Sequence, residues 1–286
     1  MIYISSRCIN TETIRESVKT LAKAGFKNIE LSGGTNYSPN YKRDLLRLQD
    51  KYELNYQVHN YFPPPTKPFV LNLASLDDDV REQSIQLCKK AIRLSKILSG
   101  KRYGVHAGFL IDIKLQEIGK KIDHRQKSKK NNALKKFANS WKQIGDEADG
   151  ELSLYIENNV FSSTNAKTYF GSNPFLLTNY EGYKELKEYL DFNLLLDVAH
   201  LKVSANTLSL DFEDELGKLF KQTDYIHLSD NDGLHDQNRG LNYSNNQLEI
   251  LSKLSFKDKT CTLETYTNMK DIRTNYSIVK NTLMTN

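Results

Sequence analysis

The sequence predicts an α/β fold, a single (β/α)8 TIM barrel. Three observations support this prediction: eight short apolar segments recur along the chain, amphipathic helical patterns lie between them, and the length of 286 residues suits one such barrel. We therefore expect residues 1–286 to form one domain. An open, doubly wound sheet is the main alternative, but Ser32-Gly33-Gly34 is a weak match to the glycine-rich turn that binds phosphate in that fold.

The predicted strands are short and carry few charges before their last residue, as expected for strands buried on both faces of a parallel sheet. They are Ile2–Ser5, Asn28–Leu31, Asn55–His59, Arg102–His106, Leu152–Glu157, Asn193–Asp197, Tyr225–Leu228 and Cys261–Glu264. Strands that alternate with helices indicate parallel pairing through right-handed crossovers. Eight such units in one chain favour a closed barrel over an open sheet.

The predicted helices carry an apolar face at helical spacing. This pattern predicts helices over Thr11–Ala24 and Leu76–Leu98. Gly25 and Gly100 follow these two helices, at a position where a left-handed residue often ends a helix. Pro174 is predicted to open the helix before strand six, because proline is favoured in the first helical turn.

Two long segments, 61–75 and 108–130, follow predicted strands, so we expect them to be loops on the catalytic face of the barrel. Much of the net charge of +5 lies within residues 114–136. A basic run of this kind can bind nucleic acid or phosphate, but a solvated surface is the favoured interpretation.

The composition argues against a membrane-spanning protein and against a protein held together by disulfide bonds. Hydrophobic residues make up 38% of the chain, and no apolar run approaches the length of roughly 18 residues expected of a membrane-spanning helix. The first residues, MIYISSRCIN, do not resemble a signal peptide, so a cytoplasmic location is the expectation. Cys8, Cys88 and Cys261 form no CxxC pair, and we expect all three to be reduced.

Strands three to eight each end in a side chain that can bind a metal. These side chains are His59, His106, Glu157, Asp197, His227 and Glu264. In a closed barrel the strand ends form a ring around one mouth, so we expect these side chains to converge. Burying a carboxylate without a compensating charge costs several kcal/mol, and a divalent cation offsets that cost. Carboxylate and imidazole ligands together favour Zn²⁺ or Mn²⁺.

Seven segments of the chain resemble the xylose-isomerase-like TIM-barrel superfamily. They are GFKNIELSGG, VHNY, YGVHAG, LYIENN, LLLDVAHLKVSA, YIHLSDNDGLHD and TLET. That superfamily contains sugar and sugar-phosphate isomerases and epimerases, inosose dehydratases, and apurinic/apyrimidinic endonucleases of the endonuclease IV type. The resemblance implies that a shared metal is held by Glu157, Asp197, His227 and Glu264. It also implies that His200 faces the substrate or, as in the endonucleases, a third zinc ion.

The endonuclease pattern is incomplete in this chain. His59 and His106 match the endonuclease histidines after strands three and four, so a second metal at His59, His106 and Glu157 stays open. The Asp-x-His that completes the third zinc site reads Asp236-Gln237-Asn238 here, and His235 has the wrong offset to replace the missing histidine. The resemblance therefore does not support a three-zinc cluster.

The leading functional hypothesis is a metal-dependent isomerase or epimerase of a sugar, a sugar phosphate or another activated sugar. It would transfer a proton through an enediolate between Glu157 and Glu264, with His200 as a third catalytic residue. The predicted substrate-binding residues are His59, His106, Lys202, Asp236 and Arg239.

Three alternatives stay open: a zinc-dependent apurinic/apyrimidinic endonuclease, a metal-dependent polyol-ketone dehydratase and, ranked last, a sugar-binding sensor or scaffold. We expect a small-molecule sugar as the binding partner rather than nucleic acid or a membrane. A homodimer is compatible with the sequence.

Overall fold

The strands pair in chain order, and the last strand pairs with the first. A computed structural model describes residues 1–242 and 246–284, and in it all the strand pairs are parallel and close a barrel. The strands are β1 (Ile2–Ser5), β2 (Asn28–Leu31), β3 (Asn55–His59), β4 (Arg102–His106), β5 (Ser153–Glu157), β6 (Asn193–Asp197), β7 (Tyr225–Leu228) and β8 (Thr260–Leu263). The predicted fold class is therefore confirmed. Strand five begins one residue later than predicted. Strand eight begins and ends one residue earlier than predicted, so Glu264 lies just beyond β8.

Helices connect the strands on the outside of the barrel. In the described part of the chain they are α1 (Ile14–Lys23), α2 (Tyr41–Tyr52), α3 (Asp78–Ile97), α4 (Lys130–Ala148), α5 (Ser163–Thr168), α6 (Tyr180–Lys187), α7 (Val198–Thr207), α8 (Phe212–Phe220), α9 (Asn246–Ser252) and α10 (Met269–Ile278). No helix among these residues is long and apolar enough to cross a membrane. The three cysteines are buried and free, as expected.

Side-chain caps determine where the two predicted helices begin. Thr13 caps α1 in a capping box with Glu16, so the helix begins a few residues after Thr11. The Asp77 carboxylate accepts the backbone N–H groups of Asp79 and Val80, so α3 begins at Asp78. Gly25 has the predicted left-handed backbone after α1, with φ of 95°. The prediction for Gly100 is wrong, because Ser99 takes the left-handed position after α3, with φ of 58°.

The prediction for Pro174 is wrong, because α6 begins at Tyr180 and Pro174 lies in the preceding loop. The Asn179 side chain accepts a hydrogen bond from Gly182 N and so caps α6. Such a cap stabilises the first turn, and the helix therefore begins after Asn179 rather than at Pro174. The Pro174 carbonyl accepts a hydrogen bond of 2.8 Å from Leu110 N. The proline therefore lies where the loop before α6 pairs with the loop after β4, and it donates no hydrogen bond there.

The interior of the barrel changes from apolar to polar along the strands. Three buried side chains form an apolar cluster of their own inside the barrel: Tyr155, Leu195 and Tyr225. Strand side chains alternate between two faces, so the residues two positions further along the same strands also point inward. Those residues are Glu157, Asp197 and His227. The fold thus directs ionisable groups to the C-terminal mouth of the barrel.

Candidate metal centre

Glu157 lies at the centre of the ionisable side chains at the barrel mouth. It is fully buried, and its Oε2 atom lies 2.7 Å from His59 Nε2 and 3.0 Å from His106 Nδ1. Its Oε1 atom lies 3.2 Å from His227 Nδ1, which in turn lies 3.3 Å from Glu264 Oε2. Side chains from the ends of strands three, four, five, seven and eight therefore meet within one cluster.

Both ligand sets predicted from the sequence come together in this cluster. The ligand atoms of Glu157, Asp197, His227 and Glu264 all lie within 4.8 Å of one another. The ligand atoms of His59, His106 and Glu157 also lie within 4.8 Å of one another. Each set could hold a metal ion, and the two sets share Glu157.

Several buried atoms of the first set lack hydrogen-bond partners among the described residues. They are Glu157 Oε1, Asp197 Oδ2 and His227 Nδ1. An unpaired buried polar group costs about 1–3 kcal/mol, and more when it is charged. A divalent cation bound by these three atoms and Glu264 would satisfy all of them. The chemistry of this donor set therefore fits the metal that the sequence predicts.

The two carboxylate oxygens of Asp197 have different roles, one in a structural hydrogen bond and one in the cluster. Its Oδ1 atom accepts a hydrogen bond of 2.8 Å from His200 N and so caps α7, while Oδ2 has no hydrogen-bond partner among the described residues. The Asn158 side chain holds the Asp197 backbone from both sides: Nδ2 donates to Asp197 O at 2.9 Å, and Oδ1 accepts from Asp197 N at 2.7 Å. Asn158 and the start of α7 therefore determine where Asp197 points.

Sequence reasoning missed Glu30, which is fully buried at the end of β2. Its Oε2 atom accepts hydrogen bonds from the Tyr225 hydroxyl and from Thr262 Oγ1 at 2.9 Å, and it lies 3.2 Å from His227 Nε2. Glu30 also forms a third ligand set with His59, His227 and Glu264. A charged residue inside an otherwise apolar strand is the sequence signal that could have identified it.

The electrostatics of the cluster keep two glutamates ionised. Burial raises the pKa of Glu157, but the charges of His106, His59 and His227 outweigh burial and hold that pKa well below its usual range. Burial also raises the pKa of Glu264, but the charge of His227 outweighs burial and lowers that pKa to about 2.

Asp197 behaves differently from the two glutamates. Burial and the nearby charge of Glu157 raise its pKa to about 7, although the charge of His200 lowers it. In the absence of a cation, Asp197 is therefore the carboxyl group of this cluster that holds a proton near neutral pH.

The histidines carry the compensating positive charge. Burial lowers the pKa of His227, but the carboxylates of Glu30, Glu264 and Glu157 outweigh burial and raise it well above its usual value. The pKa of His200 is raised in the same way, with Asp197 and Asp236 as the main opposing charges. Protons on the imidazole rings thus balance the carboxylates, and a bound cation would replace those protons.

The predicted substrate-binding residues fall into two groups. His59, His106 and Asp236 line a cavity of about 720 Å³ at the barrel mouth, together with His200 and Glu264. His200 Nε2 lies 3.5 Å from Asp236 Oδ2 within this wall.

Lys202 and Arg239 form the second group and make contacts elsewhere. Lys202 Nζ lies 2.6 Å from Asp230 Oδ1 and donates to Asn231 O, so it anchors the loop after β7. Arg239 is exposed, and its backbone pairs with that of Asp230. His235 Nδ1 lies 3.1 Å from Asp232 Oδ2.

The protein is a closed TIM barrel with a cluster of carboxylate and imidazole groups at its C-terminal mouth. These groups are the donors that metal centres use, so the fold and the site define a class of TIM-barrel proteins with a candidate metal centre. Within that class, this chain belongs to the xylose isomerase-like TIM barrel family, whose model matches residues 18–281. The family resemblance of the sequence is therefore confirmed.

Individual proteins are similar to this chain over most of its length. An uncharacterized protein of Methanocaldococcus jannaschii is 24% identical over 257 residues, which span 88% of this chain and 78% of that protein. The crystal structure of a D-tagatose 3-epimerase-like protein has a TM-score of 0.72 at 20% identity, covering 98% of this chain and 96% of that one. Endonuclease IV from Thermus thermophilus has a TM-score of 0.62 at 13% identity, covering 98% of this chain and 97% of that one. At these identities the solved structures show a shared fold.

Proposed function

We propose that this protein is a divalent-metal-dependent isomerase or epimerase of a sugar, a sugar phosphate or another activated sugar. The main support is the set of buried, unpaired donor atoms on Glu157, Asp197 and His227, which lie beside a cavity large enough for a small ligand. Similar folds occur in a D-tagatose 3-epimerase-like protein and in an L-ribulose 3-epimerase, which agrees with this class of reaction.

The proposed metal ligands are Glu157, Asp197, His227 and Glu264, with Zn²⁺ or Mn²⁺ as the preferred ion. When bound, the cation supplies positive charge that acidifies a C–H bond beside a carbonyl and stabilises the resulting enediolate. Asn158 and Glu30 hold two of the ligands in position through the contacts described above. A second ion at His59, His106 and Glu157 stays a prediction.

Glu264 and Glu157 are the proposed proton-transfer groups, and they have different access to the cavity. Glu264 lines the cavity, and its low pKa makes it an ionised base at neutral pH. Glu157 is fully buried, so we infer that its proton reaches the cavity through His106, which also lines the cavity. His200 and Asp236 would hold hydroxyl groups of the substrate.

The proposal is tested with chelated protein to which Mn²⁺, Co²⁺ or Zn²⁺ is added back. A panel of ketoses, aldoses and their phosphates is incubated in D2O, and NMR measures deuterium uptake at the carbon beside the carbonyl. We expect uptake only with metal, and a loss of at least ~100-fold in Glu157→Gln and Glu264→Gln, because proton transfer by a positioned group contributes about 10²–10⁴-fold.

Glu151→Gln is the matched control, since Glu151 is an exposed surface residue that pairs with Lys96. Two outcomes would contradict the proposal: full exchange activity in Glu157→Gln, or protein that binds none of the added metals.

A zinc-dependent apurinic/apyrimidinic endonuclease is the second candidate function. The convergence of His59, His106 and Glu157 favours it, because a second ion next to the first would help stabilise a leaving oxygen. The absence of a histidine at Asn238 argues against it. Metal-dependent nicking of a duplex that contains an abasic site would reverse the ranking.

A polyol-ketone dehydratase would begin with the same proton removal beside a carbonyl. Product analysis distinguishes it from an epimerase, since it releases water and leaves an unsaturated or rearranged ketone.

A further inference from the structure

A second cavity opens from the same cluster of ionisable residues. Its volume is about 250 Å³, and it shares His106, His200 and Asp236 with the larger cavity described above. It lies between the loop that follows β4 and the residues that follow β5. A ligand whose reacting part lies against His106 and His200 can therefore extend into this second cavity.

The walls of the second cavity are mainly apolar. The apolar lining side chains are Val70, Phe109, Ile113, Ile118, Val160 and Phe175. The larger cavity has a mixed lining, with Arg7, Asn60 and Gln237 beside Pro64, Pro65 and Phe69. Glu264 and His59 line the larger cavity and not the second one, so the reacting part of a ligand would lie in the larger cavity and an apolar end could occupy the second.

Three polar side chains that line the second cavity are used within the protein, although the exposed Lys120 and Lys121 also line it. Asn159 Nδ2 donates to the carbonyl oxygens of Ala107 and Leu176, at 2.8 and 2.9 Å. Asn165 Oδ1 accepts from Ile122 N at 3.0 Å. The Glu117 carboxylate is held by Arg125. These groups therefore shape the cavity and leave few hydrogen bonds for a ligand.

The apolar wall is built into the fold. Phe109 and Phe175 form an antiparallel bridge, and their rings meet edge to face with centroids 5.8 Å apart. Leu176 N donates to Gly108 O at 3.1 Å on the same connection. Behind it, Ile111 and Ile122 pack in a separate apolar cluster that includes Phe175. The cavity is thus preformed.

We propose that this second cavity binds an apolar substituent, an aryl or branched alkyl group joined to the sugar that reacts at the metal centre. The inference rests on the proposed function, because it assumes that the reacting sugar lies in the larger cavity beside Glu264. The natural substrate would then be a sugar conjugate that keeps a carbonyl for proton transfer, such as a glycoside with a ketone on its sugar ring, rather than a free monosaccharide.

Energetics favour this occupant over a further polyhydroxyl group. A sugar hydroxyl buried without a hydrogen-bond partner loses its hydration without compensation, whereas burial of an apolar group away from water is favourable. An apolar cavity of roughly 150 Å³ is known to accommodate benzene. The observed 250 Å³ therefore suits a substituted aromatic ring or an alkyl group of similar size.

The first experiment tests the cavity alone. Phenol is titrated into the full-length protein, and ligand-observed NMR follows binding to the original sequence and to Ile113→Asn. Ile113 lines the second cavity and not the larger one, and it is half-buried in the loop after β4, outside the barrel. Ile97→Asn is the matched control, because Ile97 is 43% exposed at the end of α3 and lines neither cavity. We expect saturable binding that weakens about fivefold or more in Ile113→Asn and is unchanged in Ile97→Asn.

The second experiment tests the link to the sugar. Phenyl β-D-glucopyranoside and methyl β-D-glucopyranoside are titrated into the Mn²⁺-loaded protein by calorimetry. We expect the phenyl compound to bind about tenfold more tightly or better, and Ile113→Asn to remove most of this preference. Equal affinity of the two glucosides, or phenol binding that does not saturate, overturns the inference.

The outcomes separate this inference from the proposed function. Deuterium exchange in sugars without phenol binding would leave the epimerase proposal standing and reject the apolar subsite. Saturable phenol binding without metal-dependent exchange in any sugar would reject the epimerase proposal instead.

Discussion

Glu30 determines which nitrogen of His227 faces the metal ligands. The Tyr225 hydroxyl and Thr262 Oγ1 already donate to Glu30, so this carboxylate is a fixed acceptor for His227 Nε2. With its Nε2–H directed to Glu30, His227 directs Nδ1 toward Glu157 and Glu264, where this nitrogen can bind a cation once its proton has left. A carboxylate in this position orients a metal-binding imidazole and raises its basicity.

We predict that Glu30→Gln weakens metal binding about 10- to 100-fold, because loss of such a supporting carboxylate has that effect in other metal sites. Calorimetric titration of Zn²⁺ or Mn²⁺ into chelated protein measures the change, and circular dichroism checks that the fold persists. Glu151→Gln serves as the control. Unchanged affinity in Glu30→Gln would mean that His227 does not depend on Glu30 for its orientation.

Asn158 has a structural role next to the site. Its side chain pairs with both the N–H and the carbonyl of Asp197, and all of these groups are buried. We predict that Asn158→Ala lowers the free energy of unfolding by about 2–4 kcal/mol, since two buried backbone groups lose their partners. Urea denaturation measures the change.

The matched variant for that measurement is Asn193→Ala. Asn193 also donates a side-chain hydrogen bond to the backbone of the neighbouring strand, to Leu154 O at 3.0 Å, but it is exposed. We expect Asn193→Ala to lower the free energy of unfolding by well under half of the loss in Asn158→Ala. Similar losses in both variants would show that burial of the Asp197 contacts contributes little.

At the scale of single residues, the sequence could predict the side chains that meet at the candidate metal centre but not the residues that orient them. His59, Asp197 and Glu264 stand out because they end short apolar strands, and strand ends meet at one mouth. Glu30 and Asn158 act through contacts between neighbouring or opposite strands. Those contacts depend on side-chain packing, which no spacing along the chain reveals.

The loop that follows β4 is an organised element despite its basic composition. Glu117 is buried in it and accepts hydrogen bonds from both terminal nitrogens of Arg125 and from the backbone N–H groups of Lys114 and Asp123. The sequence predicted a loop over 108–130, and α4 begins at Lys130 as that prediction requires. The Glu117–Arg125 pair was not predictable, because both residues look like ordinary members of a charged run.

The stability of this loop depends on pH through the carboxyl group of Glu117. Hydrogen bonds from Arg125, together with backbone N–H groups, outweigh burial and lower the pKa of Glu117 to about 2. A carboxyl group whose pKa is lower in the folded state stabilises that state above its unfolded pKa of about 4.3. This stabilisation is lost as the pH falls from that value toward 2, where the carboxylate becomes protonated.

We predict that Glu117→Gln loosens the loop at neutral pH, as acid would in the original sequence. Trypsin should cut after Lys120 and Lys121 faster, on the order of tenfold, because local opening controls cleavage of a folded protein. Mass spectrometry of the fragments measures the rate, with Glu151→Gln as the control. Equal cleavage rates in the two variants would show that Glu117 does not order the loop.

At the scale of the whole molecule, the fold was predictable because the barrel repeats one local unit. Eight alternations of strand and helix leave few ways to bury every strand on both faces, and closure follows from that count. The two cavities were not predictable, because they depend on how the loops after β3, β4 and β5 fold over the mouth. Pro174 illustrates the limit: its local preference for a helix start is outweighed by pairing between two loops.

The proposed metal ligands lie at the ends of four neighbouring strands, β5 to β8, so we expect bound metal to stabilise the whole fold. A ligand present at about 100 times its Kd adds about 2.7 kcal/mol to the free energy of unfolding. For a chain of this size, that corresponds to a rise in Tm of roughly 4–5 °C. Differential scanning fluorimetry with chelator and then with Zn²⁺ or Mn²⁺ measures the shift, and Asp197→Asn should abolish most of it because a charged ligand is lost. A similar rise in Asp197→Asn would place the stabilising ion elsewhere, and the absence of any rise in the original sequence would argue that these side chains balance one another through protons alone.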